Sequence, residues 1–428
     1  MRSVGSLAPL ARRSFLLLWI GQTVSAAGDA IAQVAQVFAV LRVGGGAADI
    51  GFVIAIQLLT RLVFVLVGGV WADRLRRQFV MLSSDLLRVA VQAALAVTLM
   101  TGLARVWQLA VGAGIYGAAQ AFFLPASAGL VPEIVPAQQL QQANALMSFA
   151  RNFFSIGGPA AAGLLIAAFG PGPVFGADAA TFAVSAISLA MLRLPLRNLP
   201  ARGSFRADLA IGWRELAMRP WYWLNLIAHA LCNFAVAGYY VLGPVVAARR
   251  LGGAPAWGAI SACWAVGAVS GGLLALRIRP RRPLVVSNLA MALGALPLLA
   301  LARPLATWGI AVAAALGSAG AIFMNSVWTA TMQELIPDEV RSRVNSYDWL
   351  ISLVVVPAGF AIVGPLAAAA GTSVTLAGAA LVFAAPCATV VALGPIRAVR
   401  RNAEGKLDDS LGGIRPPGTS QPDHGRVR

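Results

Sequence analysis

Twelve separate apolar runs, each at least 18 residues long, dictate what this 428-residue chain can become. They cover approximately 14–41, 50–72, 78–101, 106–130, 139–167, 173–194, 221–247, 256–276, 284–302, 306–332, 345–369 and 372–396. A helix needs about 20 residues to cross a hydrocarbon core about 30 Å thick. Backbone polar groups in lipid must be satisfied within the protein, which leaves only helices and closed barrels. The runs are continuous and do not alternate, so they are helices rather than barrel strands. Arg12 and Arg13 precede the first run as they would in a secretion signal, but that run is too long and eleven more follow it. Cys232, Cys263 and Cys387 all fall inside apolar runs, where they read as small buried hydrophobes and not as a disulfide framework or metal site.

Only 11% of residues are charged, yet the formal net charge is +17. Their placement explains the excess. With the amino terminus in the cytoplasm, 25 of the 33 Lys and Arg residues occupy cytoplasmic segments. External loops hold Arg42, Arg105, Arg249, Arg250 and Arg303, and the spans hold Arg61, Arg88 and Arg151 well away from their ends, with Arg193 at the cytoplasmic edge of the sixth counted as cytoplasmic. This is the positive-inside asymmetry, which predicts a multi-pass protein of the cell membrane with both termini cytoplasmic. The partner implied by the basic charge is the lipid bilayer, not nucleic acid.

Six runs precede a polar connection and six follow it. The predicted organisation is a six-helix bundle over 1–196, a linker over 197–220, a second six-helix bundle over 221–400, and a disordered cytoplasmic tail over 401–428. Within the linker, "FRADLAIGWRELAM" alternates apolar and charged residues at helical spacing, suiting a helix on the membrane surface. The tail is rich in Pro, Gly and charge and poor in apolar residues. The halves repeat at an offset of 201 residues. Glu133 then meets Glu334, Pro136 meets Pro337, Asn144 meets Asn345, Gly158 meets Gly359, Gly163 meets Gly364, Gly170 meets Gly371 and Phe182 meets Phe383. Two parallel six-helix repeats about an axis along the membrane normal are a transporter architecture.

Charge is concentrated between the second and third runs, in "GVWADRLRRQ" (69–78). This stretch resembles the loop signature of the major facilitator superfamily, G-x-x-x-D-R-x-G-R-R/K. Gly69, Asp73, Arg74 and Arg77 match it, whereas Arg76 stands at the usual Gly and Gln78 at a usual base. A carboxylate ending the second span can meet the positive end of a helix in the opposite half, with arginines completing a latch that forms in one access state and breaks in the other. "LLWIGQTVSAAGDAIAQVA" (17–35) and "FFLPASAGLVPEIVPAQQLQQANALMSF" (122–149) are similar to the drug- and siderophore-exporting branch of that family. "GGPAAAG" (157–163) is similar to its antiporter motif G-P-x-x-G-G, matched by Gly158, Pro159 and Gly163 with Ala162 replacing one Gly. The arginine of the fourth-span motif is absent; Ala113 stands there. The resemblance covers residues 14–396. It implies an all-α membrane protein of twelve helices in two pseudo-symmetric bundles, with spans one, four, seven and ten lining a central path.

Polar residues deep in the spans supply the candidate machinery. Span one carries Gln22, Ser25, Asp29, Gln33 and Gln36 on a single stripe, which must face protein or water. Arg61 lies near the middle of span two and would meet Asp29 if those spans pack together. Span five carries Asn144, Ser148, Arg151, Asn152 and Ser155 on one face; span seven carries Asn225, His229, Asn233 and Tyr240, and span ten Asn325, Trp328 and Thr329. Asp29, Arg61 and Arg151 are the candidates for proton coupling. Gln22, Ser25, Gln33, Asn144, His229, Asn233, Asn325 and Trp328 are the candidates for the substrate path. Ser, Asn and Gln also serve simply as hydrogen-bonding glue between helices. Asp85 and Asp178 lie toward span ends and read as structural. Trp221 and Trp223 read as interface anchors, and the small-residue stretches 157–163 and 267–272 as sliding surfaces.

No zincin, phosphate-loop or nucleophile-elbow motif is present, and there are only two histidines. The chain therefore reads as no enzyme, without cofactor or metal, a monomer whose partners are a small-molecule substrate and protons. The leading expectation is proton-coupled efflux of a small hydrophobic or amphipathic molecule by alternating access. A proton-coupled importer, or a scaffold or sensor that keeps the fold and moves nothing, stays open beside it.

Overall fold

The computed structural model describes residues 8–192, 213–214, 216–303, 305–337, 340, 344, 347–348, 350–352, 354–402 and 407–409; at 66–74, 137, 408 and 409 it describes the backbone only. Twelve helices in it are long and apolar enough to cross a membrane. In the first half these are α1 (Arg13–Arg42), α2 (Ala47–Arg74), α3 (Arg77–Met100), α4 (Val106–Ile134), α5 (Leu140–Phe169) and α6 (Pro171–Ala190). The second half holds α7 (Pro220–Leu251), α8 (Ala254–Arg277), α9 (Pro283–Ala302), α10 (Thr307–Leu335), α11 (Leu350–Ala370) and α12 (Thr372–Ala392). The linker's proposed surface helix falls largely outside the described residues.

Among the described residues, α7 and α9 are interrupted. The regular α-helix of α7 breaks at Val236, resumes over Ala237–Val246, and winds into a π-helix over Ala247–Leu251. The helix of α9 breaks at Leu293–Gly294, where the Phe383 ring packs against the glycine. The corners between α5 and α6 and between α11 and α12 are made by Gly170 (φ +78) and Gly371 (φ +87), backbone conformations that an L side chain rarely adopts.

Within the first half α1 packs against α5 and α6, α2 against α4, and α3 against α4 and α6. Within the second, α8 packs against α10, α9 against α10 and α12, and α7 against α11 and α12. The halves meet along two seams, α5 with α8 and α2 with α11. Both seams lie toward the end of the bundle opposite the chain termini, and both depend on small residues. A Cβ on Gly163 would lie 2.6 Å from the Ala254 carbonyl oxygen and 3.2 Å from Gly258 Cα. On the other seam Gly364 lies against the backbone of Ala47 and Ala48, and Gly51 against the Phe360 carbonyl. Small residues let helix backbones approach closely where lipid supplies no hydrophobic drive. The repeat is visible here in space, because Gly163 and Gly364 stand at one offset and close the two seams.

The expectation of two sliding surfaces is corrected. Gly267 and Gly271 pack on Ala315, Ser318 and Ala319 of α10, inside the second half rather than between halves. The tail also begins with structure. Val399–Arg401 (β1) pairs antiparallel with Leu407–Asp409 (β2). Arg401 holds Glu334 at 2.8 and 3.0 Å, and its amide donates to the Arg281 carbonyl at 2.8 Å.

Candidate functional site

Between the halves, on the inner side of the two seams, lies a cavity of about 590 Å³. The first half contributes most of the polar side chains, set among apolar ones: Asp29, Gln33 and Gln36 from α1, Gln57 and Arg61 from α2, Gln92 from α3, Tyr116 and Gln120 from α4, and Ser155 from α5. The second half contributes an aromatic wall of Tyr239, Tyr240, Trp257, Trp264 and Phe360, with Asn233 and Ser261 as its polar members. The rings pack on one another, Tyr239 stacking on Trp264 at 4.8 Å and tilting against Trp257 at 5.0 Å. An apolar wall facing a few convergent polar groups is the usual form of a small-molecule site.

Behind the polar wall sits a buried charge cluster joining α1, α3, α4 and α6. Asp29 accepts a hydrogen bond from the Tyr116 hydroxyl, and Asp178 accepts one from Gln92. Asp85 pairs with Arg88 at 2.9 Å and accepts from the Ser185 hydroxyl at 2.7 Å. The Arg88 guanidinium lies over the rings of Phe123 (4.3 Å) and Phe182 (4.5 Å). Two aromatic quadrupoles thus lie within cation–π distance of that guanidinium. Three carboxylates share this one fully buried cation, an arrangement that a low-dielectric interior tolerates only with hydrogen bonds or protons to compensate.

The structure separates the sequence candidates. Asp29, Arg61, Gln33, Asn233 and Pro159 line the cavity. Asp29 and Arg61, however, form no ion pair. The expected contact required α1 beside α2, whereas α2 packs along α4 and α1 along α5 and α6. Tyr116 takes the place at Asp29 that Arg61 was expected to fill. The stripe on α1 divides: Gln22 donates to Ser185 on α6 at 3.4 Å and Ser25 is buried, while Asp29, Gln33 and Gln36 reach the cavity. Arg151 is exposed and bonds Ser148 at 3.3 Å. With exposed Asn144 it continues the face of Ser155 from the cavity toward the terminus-bearing end.

In the second half, His229 and Trp328 are buried outside the cavity. Their rings meet at 5.2 Å, and Trp328 donates to Asp348 at 3.2 Å. Trp221 belongs to the same cluster, 1% exposed and edge-on to Trp328, so it is a core residue and no interface anchor. Asn325 is exposed on α10 and does not reach the cavity. Of the loop signature, Gly69, Asp73 and Arg74 form the last turns of α2, with side chains outside the described residues. Arg77 bonds the Gly129 carbonyl at 2.5 Å and Glu133 at 2.9 Å, both at the end of α4 in its own half. Gly158 packs on Ala30 of α1, and Gly163 forms the α5–α8 seam.

Sequence reasoning did not single out Arg88, Asp85, Asp178, Tyr116 or the aromatic wall as site residues. One signal was present: Asp85, Arg88 and Gln92 recur on one face of an otherwise apolar α3.

Comparison with known proteins agrees with this geometry. Macrolide efflux protein A of Streptococcus pyogenes is 25% identical over 352 residues, covering 81% of this chain and 87% of that protein. Multidrug efflux pump Tap of Mycolicibacterium fortuitum is 28% identical over 394 residues, covering 85% and 91%. A bacterial homologue of the human lysosomal transporter Spinster, solved inward-facing and unoccupied, superposes with a TM-score of 0.68 at 14% identity, over 88% of this chain and 95% of its own. A single-residue mutant of the peptide transporter POT superposes with a TM-score of 0.71 at 13% identity, over 90% and 95%. The family profile of the Major Facilitator Superfamily matches residues 18–355. With twelve spans, two seamed bundles and a cavity between them, this chain is a transporter of the Major Facilitator Superfamily and a multi-pass protein of the cell membrane.

Proposed function

We propose that the protein exports a small amphipathic molecule in exchange for protons, by rocking one six-helix half against the other. The observation that carries this reading is the placement of Asp29, a carboxylate deep in α1 that faces the substrate-sized cavity and is held by Tyr116. Protonation of Asp29 removes the negative charge that the Tyr116 hydroxyl and the nearby Arg88 stabilise, and so changes the relative energies of the two access states. The efflux activity named for the two sequence relatives supports the outward direction.

The positive-inside asymmetry orients both termini to the cytoplasm. The glycine seams then close the external side, and the stripe through Ser155, Arg151 and Asn144 leads from the cavity toward the cytoplasm. Amphipathic cargo follows from the two walls, aromatic on one side and amide-rich on the other.

The test is energised efflux of a fluorescent amphipathic dye from cells, with and without a protonophore, over a broad panel. Efflux that collapses on uncoupling supports the proposal. Proton-dependent accumulation would make the protein an importer. Behaviour identical to empty membranes throughout would favour a scaffold.

A further inference from the structure

Arg61 is the cavity cation that the rest of the protein leaves unused. It lines the space between the halves, yet forms no ion pair or side-chain hydrogen bond among the described residues. Asp29, the other charged residue in the cavity wall, is already engaged by Tyr116 and lies within the electrostatic reach of Arg88. Gln57 on the same helix, with Gln33, Gln36 and Gln120, also has no side-chain hydrogen bond among the described residues, so free amide donors line the same cavity as the guanidinium. A guanidinium inside a membrane is costly unless something pairs with it, and its planar fork matches a carboxylate, phenolate or phosphate better than any other group. The opposite wall offers Tyr239, Trp264 and Phe360, which suit a flat ring.

We propose that Arg61 is the anion-binding residue of the transport site, and that the preferred cargo is an aromatic molecule bearing an acidic group. The ring lies on the Tyr239–Trp264 wall while the acidic group takes the guanidinium. This rests on the transporter reading but narrows it, because a hydrophobic cation would meet an unpaired positive charge. It also gives Arg61 a role that does not depend on Asp29, from which the helix packing separates it.

Three radiolabelled ligands with one ring system test the proposal: 2-naphthoate, 2-naphthamide and 2-naphthylmethylammonium, measured by equilibrium dialysis on purified protein. The carboxylate is expected to bind about tenfold or more tighter than the amide, the size expected of a charge-assisted hydrogen-bonded pair, and the ammonium weakest. Arg61→Gln should erase the preference for the carboxylate, and Arg61→Lys should keep part of it. Tighter binding of the ammonium, equal binding of all three, or no binding of any would overturn the proposal, as would an intact preference in Arg61→Gln. The wild-type comparison alone decides if the variants fail to fold. Counterflow in liposomes with the ligand that binds separates the two readings. Exchange of the ammonium keeps the transporter and refutes the anion site, whereas carboxylate binding without exchange keeps the site and refutes transport of that ligand.

Discussion

The two halves share a frame and differ in what fills it. At the 201-residue offset, Gly163 and Gly364 both close seams between halves, and Gly170 and Gly371 both turn corners with positive φ. The contents diverge inside. Gly28 on α1 faces Asp178 on α6, while Gly238 on α7 faces Ala379, the residue 201 positions beyond Asp178. Beside those two glycines stand Asp29 and Tyr239, a carboxylate and a phenol ring that line the same cavity from opposite sides. The first half buries Asp85, Arg88 and Asp178; the second buries neutral partners such as Asn225 with Asn288 at 2.7 Å, and brings the thiols of Cys232 and Cys387 to 3.5 Å. Motion needs the frame in both halves. The proton coupling proposed above would need charge in only one, which would leave the other free to present rings.

The largest expected effect breaks the charged core. Arg88→Leu leaves Asp85 buried without its cation and should cost about 3–5 kcal/mol of stability, read as detergent-solubilised protein lost on heating. In the second half, Asn288→Leu removes a neutral bond and should cost less, about 1–3 kcal/mol. Adding Asp85→Leu to Arg88→Leu should recover much of the loss, because an apolar pair can replace a buried ion pair. Equal damage in the two halves would remove the distinction between them.

Next come the seams. Gly163→Leu sets a side chain against the Ala254 carbonyl, and Gly364→Leu sets one against the Ala48 backbone. Each should disfavour the closed seam by about 1–3 kcal/mol, the usual cost of overpacking. Single-site cysteine labels near Gly45 should then react faster, and transport should fall by a similar factor in both variants. A strong effect in one seam and none in the other would show that the halves do not rock as equivalents.

Trp264→Ala removes one ring of the wall and should weaken ligand affinity by about 0.5–1.5 kcal/mol with little change in proton coupling. The smallest effect lies at the terminus-bearing end. Glu133 is held by Arg77 from the start of α3 in its own half, whereas its counterpart Glu334 is held by Arg401 from the tail strand. Glu334 is 39% exposed against 21% for Glu133, so Arg401→Gln should cost no more than about 1 kcal/mol, and less than Arg77→Gln, in thermal unfolding.

Much of the fold was legible because hydropathy alone marks a membrane span. α3 was expected over 78–101 and runs Arg77–Met100; α9 was expected over 284–302 and runs Pro283–Ala302. The breaks at Val236 and Gly294 were hard to read, since their only marks are Gly238 and Pro244 after the first and Gly294 with Pro297 at the second, residues that a membrane helix often carries without breaking. The site was legible one residue at a time and not in its pairings. Asp29 stood out as a carboxylate in an apolar helix, but its partner depends on which helices are neighbours, and loop length does not reveal that. Asp85 and Asp178 were placed near span ends by counting residues, yet both are 0% exposed, since neighbouring helices cover them at that depth. The aromatic wall gave no periodic signal because its members come from α7, α8 and α11.

The central claim is that the carboxylate of the first half couples protons to a path that both halves form. Liposomes containing purified protein allow pH-driven uptake and substrate counterflow to be measured on one preparation. Asp29→Asn keeps the side chain's size and its ability to meet Tyr116 while removing the titrating group. The expected result is loss of uphill, pH-driven transport with counterflow retained near the wild-type rate. Wild-type pH-driven transport by Asp29→Asn would contradict the account and move the proton to another carboxylate of the cluster.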